Sequence, residues 1–188
     1  MMKKLLQAAG CLLLLPLTAC SVQSGSTENT MNGQFTAQVR IRSGEEGSTA
    51  TLTRYGSDAW CVVFEEPAAL SGVQLDFLDE EVKASYKGLE FSVPQSAQAV
   101  RTQLSELMQV VDGMALSPTL EGEMREEVLT LEGSTDAGSY TLVCSPDGIP
   151  QSFSLPSYAL EVEFEGFTPL AGEVQTETET EGETGAET

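Results

Sequence analysis

Phe35-Thr36-Ala37-Gln38-Val39-Arg40-Ile41 alternates apolar and polar residues without a break. Four apolar side chains therefore fall on one face of an extended chain and three polar ones on the other. This period of two decides the fold class because it recurs. Ala50-x-Leu52 and Trp60-x-Val62-x-Phe64 repeat it, with Gly56-Ser57-Asp58 as a hairpin turn between them. Pro67 has no N–H to give to a ladder and is expected to end that strand. Val73-x-Leu75-x-Phe77, Val82-x-Ala84-x-Tyr86 and Leu89-x-Phe91-x-Val93 follow as three short strands, separated by Asp79-Glu80-Glu81 and by Lys87-Gly88.

The period then changes. Ala97, Val100, Leu104, Leu107, Met108 and Val111 follow helical spacing, with Ser96 as N-cap and Gly113 as the stop. Alternation returns over 127–132, 139–144, 151–155 and 158–167, with Asp147-Gly148 as a turn and Pro156-Ser157 as a break. About ten antiparallel strands are more than a flat sheet commonly holds without curling. The expected fold is α+β: a strongly curved antiparallel sheet, an incomplete β-barrel, with an amphipathic helix on its concave face, because the apolar face of an open sheet must be covered.

The flanks set the organisation. Met1-Met2-Lys3-Lys4 is a basic start, residues 5–19 are mostly apolar, and Leu17-Thr18-Ala19-Cys20 closes the run. The run is too short to span a bilayer and ends in small residues, as an exported leader does. It resembles the bacterial lipoprotein signal, which is cleaved before the Cys. Residues 1–19 are thus expected to be removed and Cys20 to carry a diacylglyceryl group, whose two chains hold the protein stably at the extracytoplasmic side of a membrane. Residues 20–32, containing SVQSGSTENTMN, have almost no apolar side chains and read as a flexible tether; residues 33–170 form the domain. Residues 171–188 are Glu-rich with no base and read as a disordered tail.

Composition narrows the chemistry. The 188 residues include 29 Asp and Glu against 9 Lys and Arg, a net charge of -20, and no His. So acidic a surface repels phosphate backbones, which removes nucleic acid as a partner. Without His, Ser-His-Asp and Cys-His nucleophiles cannot be assembled from this chain. Lys83 and Lys87 follow neither a Ser three residues upstream nor a Gly-rich loop, so Ser-x-x-Lys and P-loop chemistry are missing too. A non-enzymatic protein with no metal and no cofactor is expected. Glu65-Glu66 and Asp76-x-x-Asp79-Glu80-Glu81 match no calcium-loop spacing and read as solvated strand ends and turns.

The order of elements resembles the LolA-like half-barrel family. The residues that carry the likeness are the opening Phe35-Thr36-Ala37-Gln38, the stretch from Tyr55 to Pro67 with Trp60, Gly88-Leu89-x-Phe91 before the helix, and Gly148-Ile149-Pro150-Gln151. The resemblance implies an incomplete barrel wrapped round helices, whose members carry or sense acylated or lipidic ligands in the space between sheet and helices. This chain departs from the soluble carriers in having its own lipidation box and one evident long helix.

Two sets of residues remain open. Phe35, Trp60, Val62, Phe64, Phe77, Phe91, Leu104, Met108, Leu142 and Phe164 line a lipid-sized cavity or else fill a packed core. Cys61 and Cys144, the thiols left in the exported domain, form a disulfide or stay free and buried. The expected function is that of a membrane-anchored envelope lipoprotein binding an apolar or acylated ligand, itself a lipid or lipoprotein, between sheet and helix. The alternative is an interaction or sensor module with a filled core and an envelope protein as partner.

Overall fold

Twelve strands and one long helix account for most of residues 23–78, 81–91 and 98–170, the part of the chain that the computed structural model describes. The strands are β1 (Gln23–Glu28), β2 (Phe35–Ser43), β3 (Glu46–Gly56), β4 (Ala59–Glu66), β5 (Val73–Leu78), β6 (Glu81–Tyr86) and β7 (Leu89–Phe91), followed after helix α1 (Gln98–Ala115) by β8 (Thr119–Arg125), β9 (Val128–Thr135), β10 (Gly138–Cys144), β11 (Pro150–Leu155) and β12 (Leu160–Pro169). They form one antiparallel sheet in the order β1-β8-β9-β10-β11-β12-β2-β3-β4-β5-β6-β7. The sheet is open, with β1 and β7 at its edges. This is the α+β architecture expected, with two strands more than the alternation reveals.

Phe35, Ala37, Val39 and Ile41 are buried, while Arg40 and Arg42 point outward and stand opposite Glu163 and Glu161 of β12. Arg42 meets Glu161 at 2.7 Å and Arg40 meets Glu163 at 3.1 Å and also Glu165. Exposed pairs of this kind add little stability, but opposite charges directly across a ladder favour one register. A bulge between Phe164 and Gly166 shifts the phase of β12, so that Phe164 and Phe167 both pack on the core although they are three residues apart. Phe167 lies 4.8 Å from the ring of Phe35.

Turn chemistry follows the sequence where it was legible. Asp58 and the pair Lys87-Gly88 adopt positive φ, and Gly148 does so in the β10–β11 connection. The 3₁₀ turn Pro156–Tyr158 sits at the expected break. Helix α1 does not stop at Gly113 but continues to Ala115. Its end is closed from outside: the buried Asn29 donates through Nδ2 to the carbonyls of Met114 and Ser117, each at 2.9 Å, and through its backbone N–H to Pro118. The Met114 carbonyl is one of the acceptors that a helix C-terminus leaves without an intrahelical donor; those of Ser117 and Pro118 belong to the turn that follows. The N-cap assigned to Ser96 and the turn acids Asp79 and Glu80 lie outside the described residues.

The expected tether over 20–32 is corrected from Gln23 onward. Residues 23–28 pair with 119–124 of β8 along the whole of β1, and Asn29 and Met31 are 1% and 0% exposed. Ladder hydrogen bonds are made by the backbone, so a polar edge strand needs no apolar face to form. Leu104, Leu107, Met108, Val110 and Val111 of α1 join the inward residues of the strands in one core, so the helix covers the buried face of the sheet.

Candidate functional site

The ten residues expected to line a cavity are brought together almost completely. Phe35, Trp60, Val62, Phe64, Phe77, Leu104, Met108 and Leu142 belong to a single buried cluster, and Phe164 is half-buried against it. Phe91 is a correction: it stands on β7 and is 42% exposed, because β7 is only three residues long and, among the described residues, no strand pairs with it beyond β6. These residues fill the interior with each other. Phe35 meets Trp60 edge-on at 5.6 Å, a favoured aromatic geometry. The space left beside Trp60, Phe77 and Met108 is about 130 Å³, and a shallow hollow at Phe64 and Leu70 is about 360 Å³. Ligand pockets commonly measure about 300–1,000 Å³.

The inner face also carries a charge that the alternation disguised. Arg54 is in phase with Ala50 and Leu52, points inward and is 4% exposed. Its Nε donates to Asp112 Oδ1 of α1 at 2.7 Å and its Nη1 to the carbonyl of Gly33 at 2.8 Å. Asp112 Oδ2 accepts from Trp60 Nε1 at 2.9 Å and from the Asp58 backbone N–H at 3.0 Å. One carboxylate thus receives three donors from β3, β4 and their turn, and it ties the helix to that half of the sheet. The guanidinium also sits 5.8 Å from the centre of the Trp60 ring. The signal for this cluster was in the sequence: an Arg on the apolar phase of a strand and an Asp beside Val111 on the helix.

On the side of α1 turned toward β8–β10 the packing is less complete. A groove of about 890 Å³ opens between its last turns and β8, β9 and β10. The half-buried Met114 and Tyr140 give it apolar surface above the buried Val110, Leu120 and Leu131, while Glu121 and Asp136 stand in its lining as exposed acids. Burial pushes the Tyr140 hydroxyl up from its ordinary range, and its ring lies over Gly133, where a Cβ would meet the Tyr140 hydroxyl oxygen at 2.4 Å. None of the ten sequence candidates lines this groove.

The two thiols are free. Four strands separate β4 from β10 in the sheet, and Cys144 lies in the central core whereas Cys61 faces Asp76. The Cys61 thiol is pushed up to about 12, first by burial and then by the charge and hydrogen bond of Asp76. Burial alone raises Cys144 to about 12. A thiol held protonated is neither nucleophile nor ligand. Glu65 and Glu66 are exposed, Glu65 accepting from Thr51 Oγ1 at 2.7 Å, and Asp76 accepts from Gln74 at 2.8 Å. Among the described residues no group of three or more acidic, Cys or His side chains is placed to hold a metal, and no helix is long and apolar enough to cross a membrane.

No protein-family model and no curated protein matches the chain. Solved structures do. A conserved protein of uncharacterized role from Thermus thermophilus is 13% identical, covers 75% of this chain and 81% of its own, and has a TM-score of 0.41. A LolA superfamily protein from Nitrosomonas europaea is 10% identical over 74% of this chain and 87% of its own, with a TM-score of 0.33. A DUF1329 family protein from Desulfovibrio piger is 12% identical over 74% and 86%, with a TM-score of 0.32.

Proposed function

We propose that this chain is an extracytoplasmic envelope lipoprotein, anchored through a diacylglyceryl group on Cys20, that acts without catalysis as a binding module for another protein of the envelope. The observation that carries the choice of partner is the filled interior. Eight of the ten side chains that would have lined a lipid cavity pack on one another, and Asp112 fastens the helix over them with three donors. An acyl chain in that space would have to displace buried aromatic residues and break a buried ion pair, a change costing several kcal/mol before any contact with the ligand is made. The anchoring half of the proposal rests on the basic start, the apolar run and Leu17-Thr18-Ala19-Cys20. The acidic surface offers no polybasic patch for headgroups, so the lipid is the membrane contact.

One observation favours a second reading. The groove beside β8–β10 has ligand size and partly apolar walls, so an acylated ligand is expected there if the protein is a carrier. Native mass spectrometry of the full chain, expressed in a bacterial host and purified in mild detergent, separates the two. The expected result is a covalent lipid mass on the peptide that begins at Cys20, surviving organic extraction, and no other lipid. A second lipid mass that extraction removes would overturn the protein-partner reading in favour of the carrier; a chain that still bears residues 1–19 and no lipid would overturn the anchor.

A further inference from the structure

The groove has a feature that its size does not convey. Strand β8 pairs with β9 only through Glu123, Met124 and Arg125, opposite Thr130, Leu129 and Val128. On its other side β8 pairs with β1 along 119–124, and β9 pairs with β10 from Leu129 to Thr135. Among the described residues, then, no ladder pair joins Thr119, Leu120, Glu121 and Gly122 to β9, although both strands continue. The two strands part like the arms of a wedge, and Thr119, Leu120, Glu121, Leu131, Ser134 and Thr135 face its opening.

The sequence explains where the wedge begins. Continued beyond Glu123, the same register would set Glu121 opposite Glu132, and like charges directly across a ladder are destabilising. Gly122 forms the apex: a Cβ there would lie 2.3 Å from the Thr130 carbonyl oxygen, so only glycine lets the backbones approach before they diverge. Backbone N–H and C=O groups of strand edges that face a groove seek partners, and an extended chain supplies them in the right spacing.

We propose that this wedge takes an extended, basic segment of a partner protein, added as a strand against the open edge of β9 or β8 and roofed by the last turns of α1. The proposal rests on the protein-partner reading above and gives that partner a form. Four open positions on β8 correspond to roughly 14 Å of extended chain, so the contact is short. Alternate side chains of the segment would meet Met114 and Tyr140 on the inner side, and Glu121 and Asp136 select Lys or Arg on the other. The chain's own residues 171–188, with six Glu and no base, have the wrong sign for this rim.

The test uses the full chain in detergent at about 0.15 M salt, where long-range attraction is screened. The probe is a synthetic octapeptide, Lys-Val-Lys-Thr-Lys-Val-Lys-Thr, compared with the same peptide N-methylated at every second residue. The expected result is that the first peptide slows exchange at least tenfold at those amides of 119–122 and 131–134 that point into the wedge and not to β1 or β10, that the methylated peptide with identical charge does not, and that Glu121→Lys weakens the effect. Absence of protection at these amides, or equal protection by both peptides, would overturn strand addition. Protection of the same wedge-facing amides without peptide would also overturn it: release on deleting 171–188 would assign the wedge to the chain's own tail, and release on diluting a dimer would assign it to a second copy. A lipid found by mass spectrometry would strike the partner reading itself, whereas a failed peptide in a lipid-free sample strikes only this inference.

Discussion

The two ends of the sheet meet the same helix in opposite ways. Between β2 and β6 the helix is closed down: side chains interdigitate, and the charge that points inward, Arg54, finds Asp112. Between β8 and β10 a groove opens beside the last turns of the helix although Leu120, Leu129 and Leu131 still join its core, and the charges that would face each other across a continued ladder, Glu121 and Glu132, have the same sign. Complementary charge closes one half of the fold and like charge keeps the other open. The difference places rigidity and accessibility on one helix, two residues apart, at Asp112 and Met114.

The sharpest way to break the comparison is at the closed half. Asp112→Ala leaves the buried Arg54 charge without its counter-ion, with only the Gly33 carbonyl as acceptor, and the Trp60 N–H without a partner, and is expected to cost about 3–5 kcal/mol in urea unfolding. The pair Arg54→Met with Asp112→Leu, which removes both charges, is expected to cost much less; a double variant as damaged as the single would show that packing and not the ion pair holds the helix.

The thiols distinguish the two regions by pH. Cys61 and Cys144 are each held protonated to about 12 against an ordinary value of 9.0. Below pH 9 both states of the protein keep the protons and the thiols leave stability unchanged. Above it the unfolded chain ionises first, so stability falls with rising pH until about 12, by roughly tenfold in the unfolding equilibrium per pH unit for each thiol. Cys61→Ala and Cys144→Ala should each remove about half of that slope, and Asp76→Asn should lessen it through Cys61 alone. Denaturant titrations between pH 8.5 and about 10.5, a range set by these shifts, supply the measurement.

A smaller effect tests the end where the chain crosses the helix. Asn29→Ala removes the side-chain donor that bridges the Met114 and Ser117 carbonyls where the chain leaves the helix, and about 1–3 kcal/mol should be lost. A flexible tether would give no change. The smallest effect belongs to the groove wall: Met114→Ala is expected to stay within about 0.5 kcal/mol of the parent by thermal unfolding, since one side of Met114 faces open space. A larger loss would mean that the groove is closed in solution.

The closed half was legible and the open half was not, for a physical reason. Burial writes alternation into a sequence, so 35–41, 60–64 and 73–77 announced their strands and nearly all of the core. Arg54 was written in the same phase but looked like a polar interruption, because a buried charge is explained only by a partner 58 residues away. SVQSGSTENTMN looked unstructured because β1 is held by backbone pairing and Asn29 by carbonyls, neither of which leaves an apolar pattern. Strand β8 hid in the same way. Its inward residues are Leu120, Gly122 and Met124, and a glycine in the middle position breaks the apolar rhythm while it makes the apex of the wedge.

Strand β1 has a mechanical meaning as well. If Cys20 is the anchored residue, two residues separate it from Gln23, so the folded domain hangs on a leash of about 10 Å. A tug along β1 loads its six pairs with β8 in shear, while a tug across them peels the strand from Gln23 inward. The next fastening in line is Asn29 on the end of α1. With Cys20 as the anchor, tension between membrane and domain would reach first the strand and helix end that frame the groove, and the anchor would double as a lever on the part of the molecule that stands open.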